Sequence, residues 1–215
     1  MNNSLLLTRP SHDLTTNYLY HWAALVINEA EKKNFKVYDL KDKKANQKSF
    51  AGIVKKTQPD LIYLNGHGSA DFVCGDNDEI IVQKDRDEFL LKDKIVYALS
   101  CQSAKNLGPS CIKKGTTAYL GYDDDFIFLY DEHKITRPTS DNIAENFLEP
   151  SNLLILSIIK GNSVKISFRR SQNSFKEKII KILNSESHEQ DFNLVSYLSW
   201  DMKHQVCLGD QDAKI

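Results

Sequence analysis

Cysteine is scarce in this chain and unpaired: the four present, Cys74, Cys101, Cys111 and Cys207, are scattered and no two form a CxxC pair. That spacing points to neither a zinc knuckle nor a dense disulfide framework, and it leaves thiols that are free in a reducing compartment. Long apolar runs are missing too. The leucines at positions 5–7 fall far short of a signal-peptide core of about 7–15 residues, and the run from Leu153 to Ile159 is too short to span a bilayer, which takes about 20. A cytoplasmic protein without a membrane partner is therefore expected. Neither sign of charge dominates, since 28 Lys and Arg face 29 Asp and Glu for a net charge of -1. Nucleic-acid binders draw affinity from clustered cations that neutralise phosphates, so no nucleic-acid partner is expected. The lysines of Lys41–Ser49 read as a solvated loop and the start of a helix. There is no internal repeat and no low-complexity linker, and 215 residues that are 41% hydrophobic suffice for one domain over 1–215 with a sizeable core.

What is present alternates between short apolar runs and stretches of helical spacing. Ser4–Thr8, Lys36–Leu40, Leu61–Leu64, Lys94–Leu99 and Thr117–Gly121 read as strands. Thr15–Ala30, with Tyr18, Trp22, Leu25 and Val26 at helical spacing, Asn46–Lys56 and Ser103–Lys114 read as helices between them. Strands and helices in this order predict an α/β fold, a three-layer sandwich with a mostly parallel sheet between helices on both faces. Beyond it the sequence predicts two helical pieces split at Pro150, a helix over Ser163–Leu183 with a basic outer face, and a terminal hairpin over Leu194–Leu208.

In such a sheet, ligands collect beyond the C-terminal ends of the strands. The third strand delivers Asn65, Gly66, His67 and Gly68 to that rim, and the fourth delivers Ser100 and Cys101. If the two strands are neighbours, a thiol and an imidazole face each other, which is what a cysteine nucleophile and its base require. Glycine beside the histidine lets a backbone approach a reacting carbonyl, and the N–H groups of Gly68 and Cys101 are the candidate oxyanion donors. His12, His21, His133, His188 and His204 lack a glycine-flanked strand-end setting and read as surface or structural residues. Cys74, Cys111 and Cys207 read as structural, Trp22 and Trp200 as core or partner-facing aromatics. Gly75–Glu79 reads as a turn, being too short for a calcium loop.

These residues resemble a family. An apolar strand, His67-Gly68, an insert, a second apolar strand and Ser100-Cys101 look like the caspase-like clan of cysteine peptidases, with caspases, legumain, gingipains, separase and bacterial CHAT domains. The short interval from histidine to cysteine is more similar to the gingipain and CHAT branches, and Leu99–Ser103 lacks the caspase pentapeptide, so a preference for Asp is not implied. The resemblance covers about Leu5 to Asp210, with only the His-Gly and Ser-Cys blocks specific. It implies a cysteine endopeptidase in which Cys101 attacks a peptide carbonyl and His67 is acid and base, with no metal and no organic cofactor. It also implies a pocket for the residue before the cleaved bond, and Asp123, Asp124 and Asp125, on the rim after the fifth strand, are candidates to receive an Arg or Lys there. Compact prokaryotic relatives suggest one specific protein substrate, an activating protein partner, and a regulated setting such as antiviral defence or cell death. Two alternatives stand beside this reading. One is a caspase-fold interaction module with little activity; the other is amide hydrolysis of a small molecule, disfavoured because amidotransferase nucleophiles sit in Gly-rich elbows and precede their histidine.

Overall fold

A computed structural model describes residues 3–184 and 189–215. His188, expected as a surface or structural residue, lies outside them. The first half of the chain winds as expected: β1 (Ser4–Arg9), α1 (Leu14–Lys32), β2 (Lys36–Lys41), α2 (Gln47–Thr57) and β3 (Leu61–Asn65). A small antiparallel sheet follows, made of β4 (Gly68–Ser69), β5 (Phe72–Cys74) and β6 (Ile80–Gln83). Then come β7 (Ile95–Leu99), α3 (Leu107–Lys113), β8 (Ala118–Tyr122), α4 (Asn142–Ile159), α5 (Val164–Asn184), α6 (Glu189–His204) and β9 (Gln205–Gly209).

The main sheet has six strands in the order β2-β1-β3-β7-β8-β9, all parallel except β9. Its central strands are buried along their whole length, which is why they read as continuous apolar runs and not as alternating ones. Successive side chains go to opposite faces. Leu5, Leu7, Tyr63, Tyr97 and Leu99 pack with α1 and α4 on one face, and Leu6, Ile62, Leu64, Val96 and Ala98 pack with α2 and α3 on the other. The rings of Tyr63 and Tyr97, cross-strand neighbours, lie stacked 5.2 Å apart. This is the three-layer α/β sandwich predicted from the sequence.

Three expectations need correction. The chain from Glu189 to His204 is a helix, and only Gln205–Gly209 is extended, so there is no terminal hairpin. Leu194, Leu198 and Met202 recur every fourth residue and meet Phe147 and Phe175 of α4 and α5, a helical period hidden by the β-branched and aromatic residues between them. Helix α4 runs unbroken through Pro150. Proline costs one backbone hydrogen bond, but here side chains engage the neighbouring carbonyls: the Ser151 hydroxyl donates to Phe147 O at 2.8 Å and Ser171 of α5 to Pro150 O at 2.8 Å. Burial of the whole helix outweighs the local penalty. Finally, α3 starts only at Leu107, because Cys101–Asn106 is a turn clamped to the end of β8, with Gln102 N–H on Asp124 O and Ala104 N–H on Tyr122 O.

Candidate active site

The strand order changes direction between β1 and β3: from β1 the chain passes outward to β2, and from β3 it continues to β7 on the opposite side. Such a switch point leaves a crevice beyond the strand ends, since the connections depart to opposite sides. Here the ends are tied together. Asn65 N–H donates to the Thr8 hydroxyl at 2.9 Å, and the Asn65 amide donates to Thr8 O at 3.0 Å. The loop after β1 carries His12 and Asp13; the loop after β3 carries His67; the turn after β7 carries Cys101.

β3 and β7 are parallel neighbours, with Asn65 opposite Leu99, so His67 and Cys101 each lie two residues past a matched pair. Gly68 faces the same place: a Cβ built there would sit 2.1 Å from Ser100 Oγ and 3.2 Å from Cys101 O. Only a residue without a side chain fits between the histidine and the cysteine strand. Gly66, at φ +141°, makes the turn out of β3, and the His67 carbonyl accepts the Cys74 N–H at 2.8 Å. The insert after His67 is thus a folded platform that fixes the histidine's backbone. Cys74 lies buried in β5.

Each member of the predicted pair has another partner in this state. The Cys101 thiol donates to Phe126 O at 3.7 Å. His67 Nε2 contacts Asp13 Oδ2 at 2.5 Å, which leaves Nδ1 as the ring nitrogen available for proton transfer. Asp13 was not anticipated from the sequence. It caps α1, accepting Thr16 N–H at 2.7 Å, and it reaches His67 because β1 and β3 are neighbours. Burial raises its pKa, but hydrogen bonds from His67 and Thr16 outweigh that and hold it at about 2. With the folded value depressed, Asp13 stays charged at all working pH values and releases His67 only as pH falls through about 2. His12, read as a surface or structural residue, lies at the same rim: its ring is 5.9 Å from that of His67, and both of its nitrogens are shielded from solvent with no hydrogen-bond partner.

The three aspartates after β8 diverge. Asp125 accepts a hydrogen bond from the Gln102 amide at 3.0 Å, next to Cys101, and its charge acts on the thiol. Asp124 accepts from Asp125 N–H, and Asp123 pairs with His204 Nδ1 at 2.8 Å. Asp123 and Asp124 line a cavity of about 380 Å³ with Lys105 and His204, one that Cys101 does not border. A fourth acid, Asp201 on α6, was missed. It is fully buried, accepts Ile127 N–H through Oδ1, and keeps Oδ2 without a hydrogen-bond partner, and burial pushes its carboxyl well above the usual range. No sequence pattern distinguishes it, for its surroundings come from segments far away in the chain, Ile127 among them.

Burial also raises the Cys101 thiol, with Asp125 and Asp201 adding in the same direction, while Cys74, Cys111 and Cys207 are pushed to about 11, 12 and 11 by burial. Burial thus favours the neutral thiol of Cys101 over the thiolate. Alkylation by iodoacetamide is therefore expected to reach Cys101 before Cys74 and Cys111, with a rate that climbs with pH to a midpoint above the ordinary value of about 8.5. A rate already at its plateau near pH 6 would show a preformed thiolate and overturn this assignment.

No family model matches the chain, and no curated protein matches it in sequence. Among solved structures it is similar to the complex of the pro- and mature domains of RgpB from Porphyromonas gingivalis, with a TM-score of 0.57 at 9% identity. The match covers 99% of this chain and 48% of that one, so the chain spans about half the length of its structural neighbour. At that identity the likeness is one of fold alone, a mostly parallel six-stranded sheet between helices, consistent with the caspase-like arrangement that the resemblance implied. No helix among the described residues is long and apolar enough to cross a membrane.

Proposed function

We propose, from this fold and its strand-end residues, that the chain is a cysteine endopeptidase in which Cys101 is the nucleophile and His67 its base. The observation that carries the reading is the register of β3 on β7, with Gly68 pressed against Ser100 and Cys101. In this reading His67 Nδ1 takes the proton of the Cys101 thiol as sulfur attacks a peptide carbonyl, and His67 then returns that proton to the leaving amine. The N–H groups of Gly68 and Cys101 receive the oxyanion of the tetrahedral intermediate. Asp13 holds the imidazole through Nε2 and stabilises it once it is charged, a positioning role.

Among the three rim aspartates, Asp125 is the one whose charge acts on the thiol, so it is the residue we assign to an Arg or Lys before the cleaved bond. Because the resting thiol is bonded to Phe126 O, catalysis begins with movement of the Asp124–Asp131 loop, and an activating protein or the substrate itself supplies the force. The resemblance to compact prokaryotic caspase-like proteases supports one specific protein substrate and a role in regulated defence or cell death.

The same resting contacts favour a second reading, an interaction module of low activity, because neither His67 nor Cys101 is bonded to the other. A peptidyl acyloxymethylketone ending in Arg separates the two. Covalent capture of Cys101, lost in His67→Ala and weaker with an Asp-ended probe, is the expected result. No capture with Arg, Asp or Asn ends favours the module.

A further inference from the structure

His12, His67 and Asp78 come from three separate segments, yet one ligand atom from each lies within 4.8 Å of the other two. His12 Nε2 is 3.4 Å from Asp78 Oδ1 and 3.9 Å from Asp13 Oδ2, and its Nδ1 is 4.0 Å from Asp76 Oδ1. Despite these neighbours, neither His12 nitrogen makes a hydrogen bond or meets solvent. A shielded imidazole with no partner is costly. Its retention beside a second imidazole and several carboxylate oxygens indicates a partner that the polypeptide does not supply.

We propose that His12, His67 and Asp78, with Asp13 beside them, bind one divalent cation of the zinc class, and that the bound ion switches the peptidase off. Two imidazole nitrogens and a carboxylate suit Zn²⁺, whereas Mg²⁺ and Ca²⁺ take oxygen ligands. Ligands about 2.0–2.1 Å from a tetrahedral ion are roughly 3.3 Å apart, so no pair in the cluster need close by more than about 1.5 Å on binding, and His12 Nε2 and Asp78 Oδ1 already stand 3.4 Å apart. Asp78, exposed on the turn between β5 and β6, is the member free to move.

The inhibition rests on the reading of His67 as base. An imidazole that gives one nitrogen's lone pair to a metal carries its own proton on the other nitrogen. Nothing remains to accept the thiol proton, whichever nitrogen the ion takes. The β1–β3 crevice thus brings His12 and Asp78 to the base without touching the nucleophile.

The test is a calorimetric titration of Zn²⁺ into the metal-free full chain, in wild type, His12→Ala, Asp78→Asn and Cys101→Ala. Expected is uptake of one ion by wild type and Cys101→Ala, weakened at least about tenfold in His12→Ala and in the exposed-site variant Asp78→Asn, and undisturbed by excess Mg²⁺ or Ca²⁺. Absence of stoichiometric uptake overturns the site, as does loss of binding in Cys101→Ala with retention in His12→Ala, which puts the ion on the thiol. In parallel, the Zn²⁺ concentration that halves peptide hydrolysis is expected to rise by the same factor in His12→Ala as the dissociation constant. Full hydrolysis at saturating Zn²⁺ overturns the switch. If the chelated wild type hydrolyses nothing, the ion is not what holds the peptidase off and the switch is overturned, and the titration still decides the metal site.

Discussion

Hydrolysis of an Arg-containing peptide is expected to fall by on the order of 10⁴-fold or more in Cys101→Ala and by about 10²–10⁴-fold in His67→Ala. The two effects should not multiply. Once the nucleophile is gone, a base aligned on it has no proton to take, so the double variant should be scarcely slower than Cys101→Ala alone. Cys101 is only partly buried and its thiol makes one long hydrogen bond, so alanine leaves the fold intact, and matched melting temperatures check this. The thiol's raised pKa makes His67 necessary: a thiolate already present at neutral pH would lose less when the base is removed. Retention of more than about a tenth of the wild-type rate in Cys101→Ala would end the assignment of Cys101 as nucleophile.

The second large effect concerns the fold that holds the base. Gly66→Ala is expected to lower stability by about 3 kcal/mol or more, among the largest effects of a single substitution. A Cβ at position 66 would lie 2.4 Å from the backbone oxygen of Cys74 and 3.3 Å from Pro10, and the backbone there is at φ +141°, which L side chains rarely adopt. Neither neighbour is the flexible tip of a side chain. Relief requires β5 to leave the strand-end turn, which breaks the Cys74 N–H bond to His67 O and frees the histidine. Denaturant unfolding measures the loss. Gly52→Ala, an added methyl in open space on α2, is the control and should be neutral or stabilising. A Gly66→Ala protein as stable as wild type would mean that the His67 turn is not constrained by the hairpin platform.

The two effects share a cause, because His67 and Cys101 are held by their own backbone turns and by other partners and not by each other. His67 is fixed through its carbonyl and through Asp13, Cys101 through the turn that Gln102 and Ala104 clamp to β8. Such a site can rest with its thiol turned toward Phe126 without loss of stability, which is what control by a partner or a metal requires.

Much of this was legible in the chain itself. Leu61–Asn65 and Ile95–Leu99 are unbroken apolar runs because both of their faces are covered, and the change to His67-Gly68 and Ser100-Cys101 at their ends marks the rim on which a ligand crevice opens. Local chemistry therefore determined the layers, the strand ends and the two residues that carry the proposed reaction. Tertiary structure decided the rest. The helix α6 was read as a hairpin since its apolar contacts are with α4 and α5, far away in sequence, and the helix through Pro150 survives by burial that no local propensity reports. Asp13 carried no signal in the sequence and His12 read as a surface or structural residue; they reach His67 only because β1 and β3 lie side by side where the sheet's connections diverge. Asp201 has no local signature, and segments distant in the chain, the loop at Ile127 among them, take it out of water. Periodicity and composition act over a few neighbouring residues, whereas a partner for a histidine is fixed by which strands adjoin, and that follows from the packing of the whole chain.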